Sequence, residues 1–299
     1  MATEQAAVNG ISITFEDKGP RDAPVILLVM GLGGQLTLWP DEFVDALNAR
    51  GFRTIRYDNR DVGLSTRFDA AGVPNLKWMF VKSLLRLPVR SAYTLADMAA
   101  DGVALLDHLG IARAHIVGVS MGGMISQHIA ARYPDRVLSL TSVMSTTGNP
   151  RLPRAQKEAM QVLTSRPMSG DPEDLIAYSV RAAKVIGSPG YPPDEERLQR
   201  RVRSDFERGW YPQGVARQMA AIVADGDRRP MLKSIDAPTL VIHGEGDPLV
   251  PLAGGRDTAD NIPGARLLTI PGMGHDLPLG LVDTLADAIA GHAGAVARA

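Results

Sequence analysis

Six short runs govern what this chain can fold into: PVILLVMG (24–31), FRTIRYDN (52–59), AHIVGVS (114–120), VLSLTSVMS (137–145), PTLVIHGE (238–245) and ARLLTIPG (265–272). All but the second are nearly continuous in apolar residues. They lack the alternation of a strand with one wet face, so they must be covered on both sides, as in a parallel sheet. Helically spaced segments lie between them: DEFVDALNAR (41–50), TLADMAADGVALLDHLG (94–110) and GGMISQHIAARYPD (122–135). In the second of these Thr94 is a candidate N-cap with Asp97 three residues on, and Gly110 is a stop signal. Strand–helix alternation of this kind specifies an α/β fold, a mostly parallel central sheet flanked by helices. An opening QAAVNGISITFEDKG, with Asn9-Gly10 at its centre, adds an antiparallel hairpin at one edge.

Two stretches break the rhythm. Residues 148–232 hold no core-strand pattern, only helical fragments, prolines and charge, and are expected to form a helical cap over the carboxyl edge of the sheet. The core is then residues 1–147 and 233–299. The cap carries apolar residues such as Met160, Met168, Ile176, Val180 and Trp210, some packing it down and some facing a covered pocket. The other stretch, NLKWMFVKSLLRLPVR (75–90), interleaves Trp78, Phe80, Leu84 and Leu85 with Lys77, Lys82, Arg86 and Arg90. It reads as an amphipathic helix whose apolar face rests on the cap or on another subunit, with at most weak, reversible membrane attachment.

Composition removes several classes of function. The formal net charge is −1 over 299 residues, which gives no global field for nucleic acid. There is no cysteine, so disulfides, thiolate nucleophiles and thiolate metal sites are excluded. No run approaches the roughly 20 apolar residues of a membrane span, so stable membrane insertion is not expected. MATEQAAVNG has neither a basic n-region nor an apolar h-region, so the expected location is cytoplasmic. A homo-oligomer is compatible with everything above.

The chemistry centres on IVGVSMGGM (116–124). Gly118-Val119-Ser120-Met121-Gly122 fits G-x-S-x-G at a strand-to-helix turn, where the serine is strained outward and larger neighbours would clash. A serine hydroxyl needs a base. Of six histidines, His108 and His128 fall inside helices, His115 begins a strand and His292 lies in what reads as a frayed tail. His243 ends a core strand and suits a supporting role. His275, in PGMGHDLP after the last strand, is the candidate base. An acid must fix its tautomer, and HGEGDPLVP offers Asp247, with Glu245 as second candidate. Asp276, adjacent to the histidine, reads as a surface residue or helix cap. The oxyanion donors are expected to be the backbone amides of Met121 and of Leu32, the latter in the glycine-rich MGLGGQ loop (30–35).

Read in order, MGLGG, YDNRDVGLS, GVSMGG, GEGDPLVP and PGMGHDLP resemble the α/β-hydrolase superfamily over essentially the whole chain. LLVMGLGG…LWPDEFVDAL, IRYDNRDVGLST and IPGMGHDLP look most like its aclacinomycin methylesterase-like group. The resemblance implies an α/β-hydrolase fold and hydrolysis of a small-molecule carboxylic ester, with no metal or organic cofactor. The chain departs from that group at 75–90 and through much of 148–232, and it has Met30 where many relatives have histidine. A serine nucleophile sets it apart from haloalkane dehalogenases and epoxide hydrolases, which use aspartate. An enol-lactonase or C–C bond hydrolase is the alternative within the superfamily. A non-catalytic binding protein on the same scaffold ranks lower, because Ser120, Asp247 and His275 are all present.

Overall fold

Asn9 and Gly10 both take positive φ, 49° and 76°, the backbone that a two-residue hairpin turn requires. In the computed structural model, which describes residues 3–85, 87–165 and 170–296, they join β1 (Glu4–Val8) to β2 (Ile11–Lys18) in antiparallel pairing. The apolar runs become β3 (Val25–Val29), β4 (Arg53–Tyr57), β5 (Ala114–Val119), β6 (Val137–Val143), β7 (Thr239–Gly244) and β8 (Arg266–Ile270). The sheet runs β1-β2-β4-β3-β5-β6-β7-β8 and is parallel from β4 to β8.

The helices of the first half are α1 (Asp41–Ala49), α2 (Leu76–Leu84), α3 (Leu95–His108) and α4 (Met121–Arg132). Five more fall between β6 and β7: α5 (Lys157–Thr164), α6 (Pro172–Ile186), α7 (Glu195–Gly209), α8 (Pro212–Asp225) and α9 (Arg229–Leu232). The chain ends with α10 (Leu252–Asn261) and α11 (Val282–Val296). β3 shows why a strand here must be apolar throughout. Val25, Leu27 and Val29 pack toward α3 and α4, whereas Ile26 and Leu28 pack toward α1 and α11. β4 is equally buried yet carries two arginines, each neutralised where it lies. Arg53 forks onto Asp17 at 2.8 and 2.7 Å, and Arg56 reaches Glu16 at 2.8 Å and the Trp39 carbonyl at 2.7 Å. α3 begins as its sequence indicates: the Thr94 hydroxyl accepts from the Asp97 amide, and the Asp97 carboxylate accepts from the Thr94 amide.

The helices between β6 and β7 own a small apolar cluster, Ile176, Val180, Leu198 and Val202, separate from the two cores that flank the sheet. Met160 and Trp210 are exposed rather than turned inward, and Met168 lies outside the described residues. Of the 75–90 stretch, α2 takes 76–84, capped by the Asn75 side chain accepting from the Trp78 amide. Arg86 lies outside the described residues. α2 packs on α8 and its Met79 is buried, while Trp78, Phe80, Val81, Leu85 and Leu87 are exposed. The segment thus rests on a helix of the 148–232 insertion as expected, but much of its apolar surface is left facing solvent. His292 is also not in a frayed tail. It is buried within α11, its Nε2 on the Pro238 carbonyl at 3.1 Å.

Candidate active site

The turn between β5 and α4 is built by exclusion. A Cβ on Gly118 would lie 2.2 Å from the Gly122 carbonyl oxygen, and one on Gly122 would lie 2.0 Å from the Val29 carbonyl oxygen. With those places closed to side chains, the chain turns sharply and Ser120 is left at φ 55°, ψ −121°, a conformation that L-residues seldom adopt. The turn is held by the Ser120 amide donating to Val143 O at 2.9 Å and by Ser145 Oγ donating to Ser120 O at 2.8 Å. The Ser120 side chain is consequently aimed out of the sheet at the N-terminus of α4.

The loop after β8 brings His275 to it. His275 Nε2 lies 3.0 Å from Ser120 Oγ, and its Nδ1 lies 2.7 Å from Asp247 Oδ2. The other carboxylate oxygen of Asp247 accepts from the amides of Leu249 (2.9 Å) and Val250 (2.8 Å). A carboxylate so fixed accepts a hydrogen bond from Nδ1–H, which keeps the proton on that nitrogen and leaves the Nε2 lone pair toward the serine. Asp247 and His275 are buried and Ser120 is half-buried.

Glu245 does not join them: it is exposed and accepts from Thr269 Oγ1 at 3.0 Å. His243 is fully buried with Nε2 on Val250 O at 2.7 Å and 3.6 Å from Asp247, and burial holds it below the usual histidine range. It buttresses the acid loop as a neutral ring. His115 meets Ser139 Oγ at 2.8 Å and His128 meets Asp225 at 2.8 Å, so each is engaged by a partner other than Ser120, Asp247 or His275. Asp276 corrects its surface reading. It is half-buried and accepts from Ser188 Oγ, which in turn accepts from the Gly274 amide at 2.8 Å.

Gly31 abuts the serine, since a Cβ there would sit 3.1 Å from Ser120 Cβ. The next amide, Leu32, and the first amide of α4, Met121, have no hydrogen-bond partner among the described residues. The Gly33 amide is instead taken by Gln218 Oε1 of α8 at 2.8 Å, and Gln218 Nε2 donates to Arg60 O at 2.8 Å.

Residues 58–61 were visible in the sequence only as part of a resemblance, and they prove to be a hub. Asn59 Nδ2 donates to Met30 O at 2.9 Å, and Asp58 accepts from the Leu36 amide at 2.7 Å, so both pin the glycine-rich loop. Asp58 also pairs with Arg208 of α7 at 2.8 Å, and Asp61 with Arg217 of α8 at 2.7 Å. Burial pushes the Asp58 carboxyl up, and Arg208 opposes it. The signal was available: four polar residues, Asp58-Asn59-Arg60-Asp61, directly follow a core strand. Their partners, some 150 residues away, were not readable.

A strained serine at a strand–helix turn, hydrogen-bonded to a histidine that is itself held by a buried aspartate, is the arrangement of a nucleophilic hydrolase. Residues 24–279 match the family model of the α/β hydrolase fold, and the chain belongs to that family. It is 32% identical to rhodomycin D methylesterase DauP of Streptomyces sp. (strain C5) and 31% identical to rhodomycin D methylesterase DnrP of Streptomyces peucetius, each comparison covering 98% of both chains. Among solved structures it is similar to an enol-lactonase from Burkholderia xenovorans LB400, with a TM-score of 0.72, 26% identity and 97% of this chain and 99% of that chain covered.

Proposed function

We propose that the protein is a serine carboxylic-ester hydrolase in which Ser120, His275 and Asp247 form the catalytic triad and the amides of Leu32 and Met121 the oxyanion hole. The unbroken chain of hydrogen bonds from Asp247 through His275 to Ser120, at 2.7 and 3.0 Å, carries this reading. His275 Nε2 takes the hydroxyl proton as Ser120 Oγ attacks the ester carbonyl. The carbonyl oxygen becomes an oxyanion facing the two unpartnered amides, each such donor being worth about 10²–10³ in rate. The tetrahedral intermediate collapses, the imidazolium gives its proton to the departing alkoxide, and an alcohol leaves. A water deprotonated by His275 then attacks the acyl-enzyme and releases the acid and the free serine. The kinship with two methylesterases supports an ester as substrate. Residues 148–232 act as a cap: α6 reaches the histidine loop through Ile186 O, which accepts from the His275 amide at 2.7 Å, and Val215 of α8 fills the space over Gly33. The direct test is labelling by a fluorophosphonate together with turnover of p-nitrophenyl butyrate. Both are expected in the native enzyme and both vanish in Ser120→Ala; esterase activity surviving in that variant overturns the reading.

One observation favours a lactone or another substrate that carries a carboxylate. In the basic run of α7, Arg197 pairs with Glu42, Arg200 with Glu196, Arg203 with Glu173 and Arg208 with Asp58. Arg201 alone makes no hydrogen bond or ion pair among the described residues; its Nε is sealed from solvent, and burial lowers its pKa against the distant pull of Asp205 and Asp276. A guanidinium left in that state is suited to an anionic group on the substrate. It is compatible with the same triad.

A further inference from the structure

α2 presents its apolar side to water. Trp78, Val81 and Leu85 recur at helical spacing and are 54%, 43% and 60% exposed, while Met79 on the opposite side is the buried contact with the rest of the molecule. Phe80 and Leu87 are exposed as well, and Leu87 is held close to the last turn by its amide donating to Lys82 O at 2.8 Å. A soluble protein does not leave so many large apolar side chains contiguous without a use for them. The charge of the segment that carries them has one sign. From Ala70 to Ala96 the sequence contains Lys77, Lys82, Arg86 and Arg90 and no acidic residue. Lys82 lies 5.8 Å from the centre of the Trp78 ring, so cation and aromatic ring share one surface.

We propose that this face is a reversible docking surface for an anionic phospholipid bilayer. Tryptophan and phenylalanine settle at the headgroup boundary, and lysines beside them meet lipid phosphates, the combination that keeps a helix lying in a membrane surface. No described helix is long and apolar enough to cross a membrane, so the attachment is peripheral. A second copy of the chain fits less well. A two-fold interface is self-complementary, and around this patch it would set lysine and arginine against lysine and arginine with no acid of the segment to neutralise them. The docking itself does not depend on which ester is cleaved.

The test is flotation of the intact protein with vesicles of phosphatidylcholine alone and of phosphatidylcholine with about one third phosphatidylglycerol. Binding is expected to the anionic vesicles and not to the neutral ones, falling about tenfold or more when salt rises from about 0.05 M to about 0.5 M. Lys77→Glu/Lys82→Glu should weaken it at least about tenfold, since each cation near such a surface counts for about 1 kcal/mol. Trp78→Ser/Val81→Ser/Leu85→Ser should abolish it and leave hydrolysis of a soluble p-nitrophenyl ester unchanged, which shows that the variant is folded. Failure to bind anionic vesicles overturns the proposal. So does binding that survives the triple serine variant, which would place the contact elsewhere. A dimer in solution that the same variant dissociates, with no vesicle binding, would make the face a subunit interface instead.

Discussion

The floor of the site and the helices above it are held by different forces. The floor is set by close backbone approach: Gly118 and Gly122 touch main-chain atoms, and the serine conformation follows from what cannot fit. The insertion has a small apolar cluster of its own and is tied down by charge, Arg208 on Asp58 and Arg217 on Asp61, with Gln218 and Ser188 as polar pins. Steric exclusion fixes atoms to tenths of an ångström and tolerates little change. Ion pairs and a small apolar cluster allow the helices above to vary in composition while still closing over the same serine.

The comparison breaks most visibly at the floor. Ser120→Ala and His275→Ala should each lower kcat by about 10⁴-fold or more, and Asp247→Asn should come close, because exposed Glu245 is committed to Thr269 and cannot replace it. Steady-state kinetics on p-nitrophenyl butyrate, with circular dichroism to show a native fold, check all three. Activity in Asp247→Asn within about tenfold of the native enzyme would mean that another acid serves.

The tether is the next largest effect. Arg208→Met strands the Asp58 carboxylate, which is fully buried, and should cost about 3 kcal/mol in thermal or urea unfolding. Because Asp58 also holds the Leu36 amide, kcat/KM should fall in the same variant. Adding Asp58→Asn to it should restore much of the stability but not the activity. A single Arg208→Met variant as stable as the parent would show that the insertion is held by packing rather than charge.

The pH dependence of stability isolates the core. Burial lowers the His115 pKa from 6.5 to about 4. The unfolded chain therefore takes up this proton first, so the contribution is complete above about 6.5 and is lost as pH falls toward 4. The loss should be on the order of 2 kcal/mol. His243 and His292 are lowered in the same sense, whereas the raised carboxyls of Asp58, Asp101 and Asp276 act with the opposite sign. The readout is consequently the difference between the native protein and His115→Asn in urea melts at pH 7 and pH 4.5. It should narrow as pH falls; a constant difference would mean that His115 does not titrate with unfolding.

Substrate choice gives the smallest steps. Each methylene buried adds about 0.8 kcal/mol, roughly fourfold, so kcat/KM should climb from acetate to butyrate or hexanoate. It should fall for chains beyond about ten carbons if the insertion covers a finite pocket. A steady rise to palmitate would replace the cap with an open groove. On the same panel Arg201→Met should lose turnover of a hemisuccinate ester several-fold while sparing the butyrate ester; equal effects on both would remove the anion-binding role.

Much of this molecule is legible from local rules. Continuous apolar runs on both faces specify buried parallel strands, Asn-Gly specifies the hairpin, and glycines flanking Ser120 specify a turn with no room for Cβ atoms. That Ser120, Asp247 and His275 meet after β5, β7 and β8 follows from chain connectivity, because parallel strands deliver their carboxyl ends to one edge. What the tertiary structure decided are the partnerships between distant side chains. A carboxylate two residues from another, such as Glu245 beside Asp247, has the same local sequence logic, and only the path of the loop after β8 chose between them. Nothing in their local sequence distinguishes the arginines of α7; the folded chain pairs Arg208 with Asp58 and leaves Arg201 without a hydrogen bond among the described residues. Asp276 and His292 likewise passed for surface groups until α6 and the packing of α11 enclosed them. Local sterics are written in neighbouring residues, whereas the pairing of charges depends on how whole helices settle on the sheet, and that is a property of the folded chain.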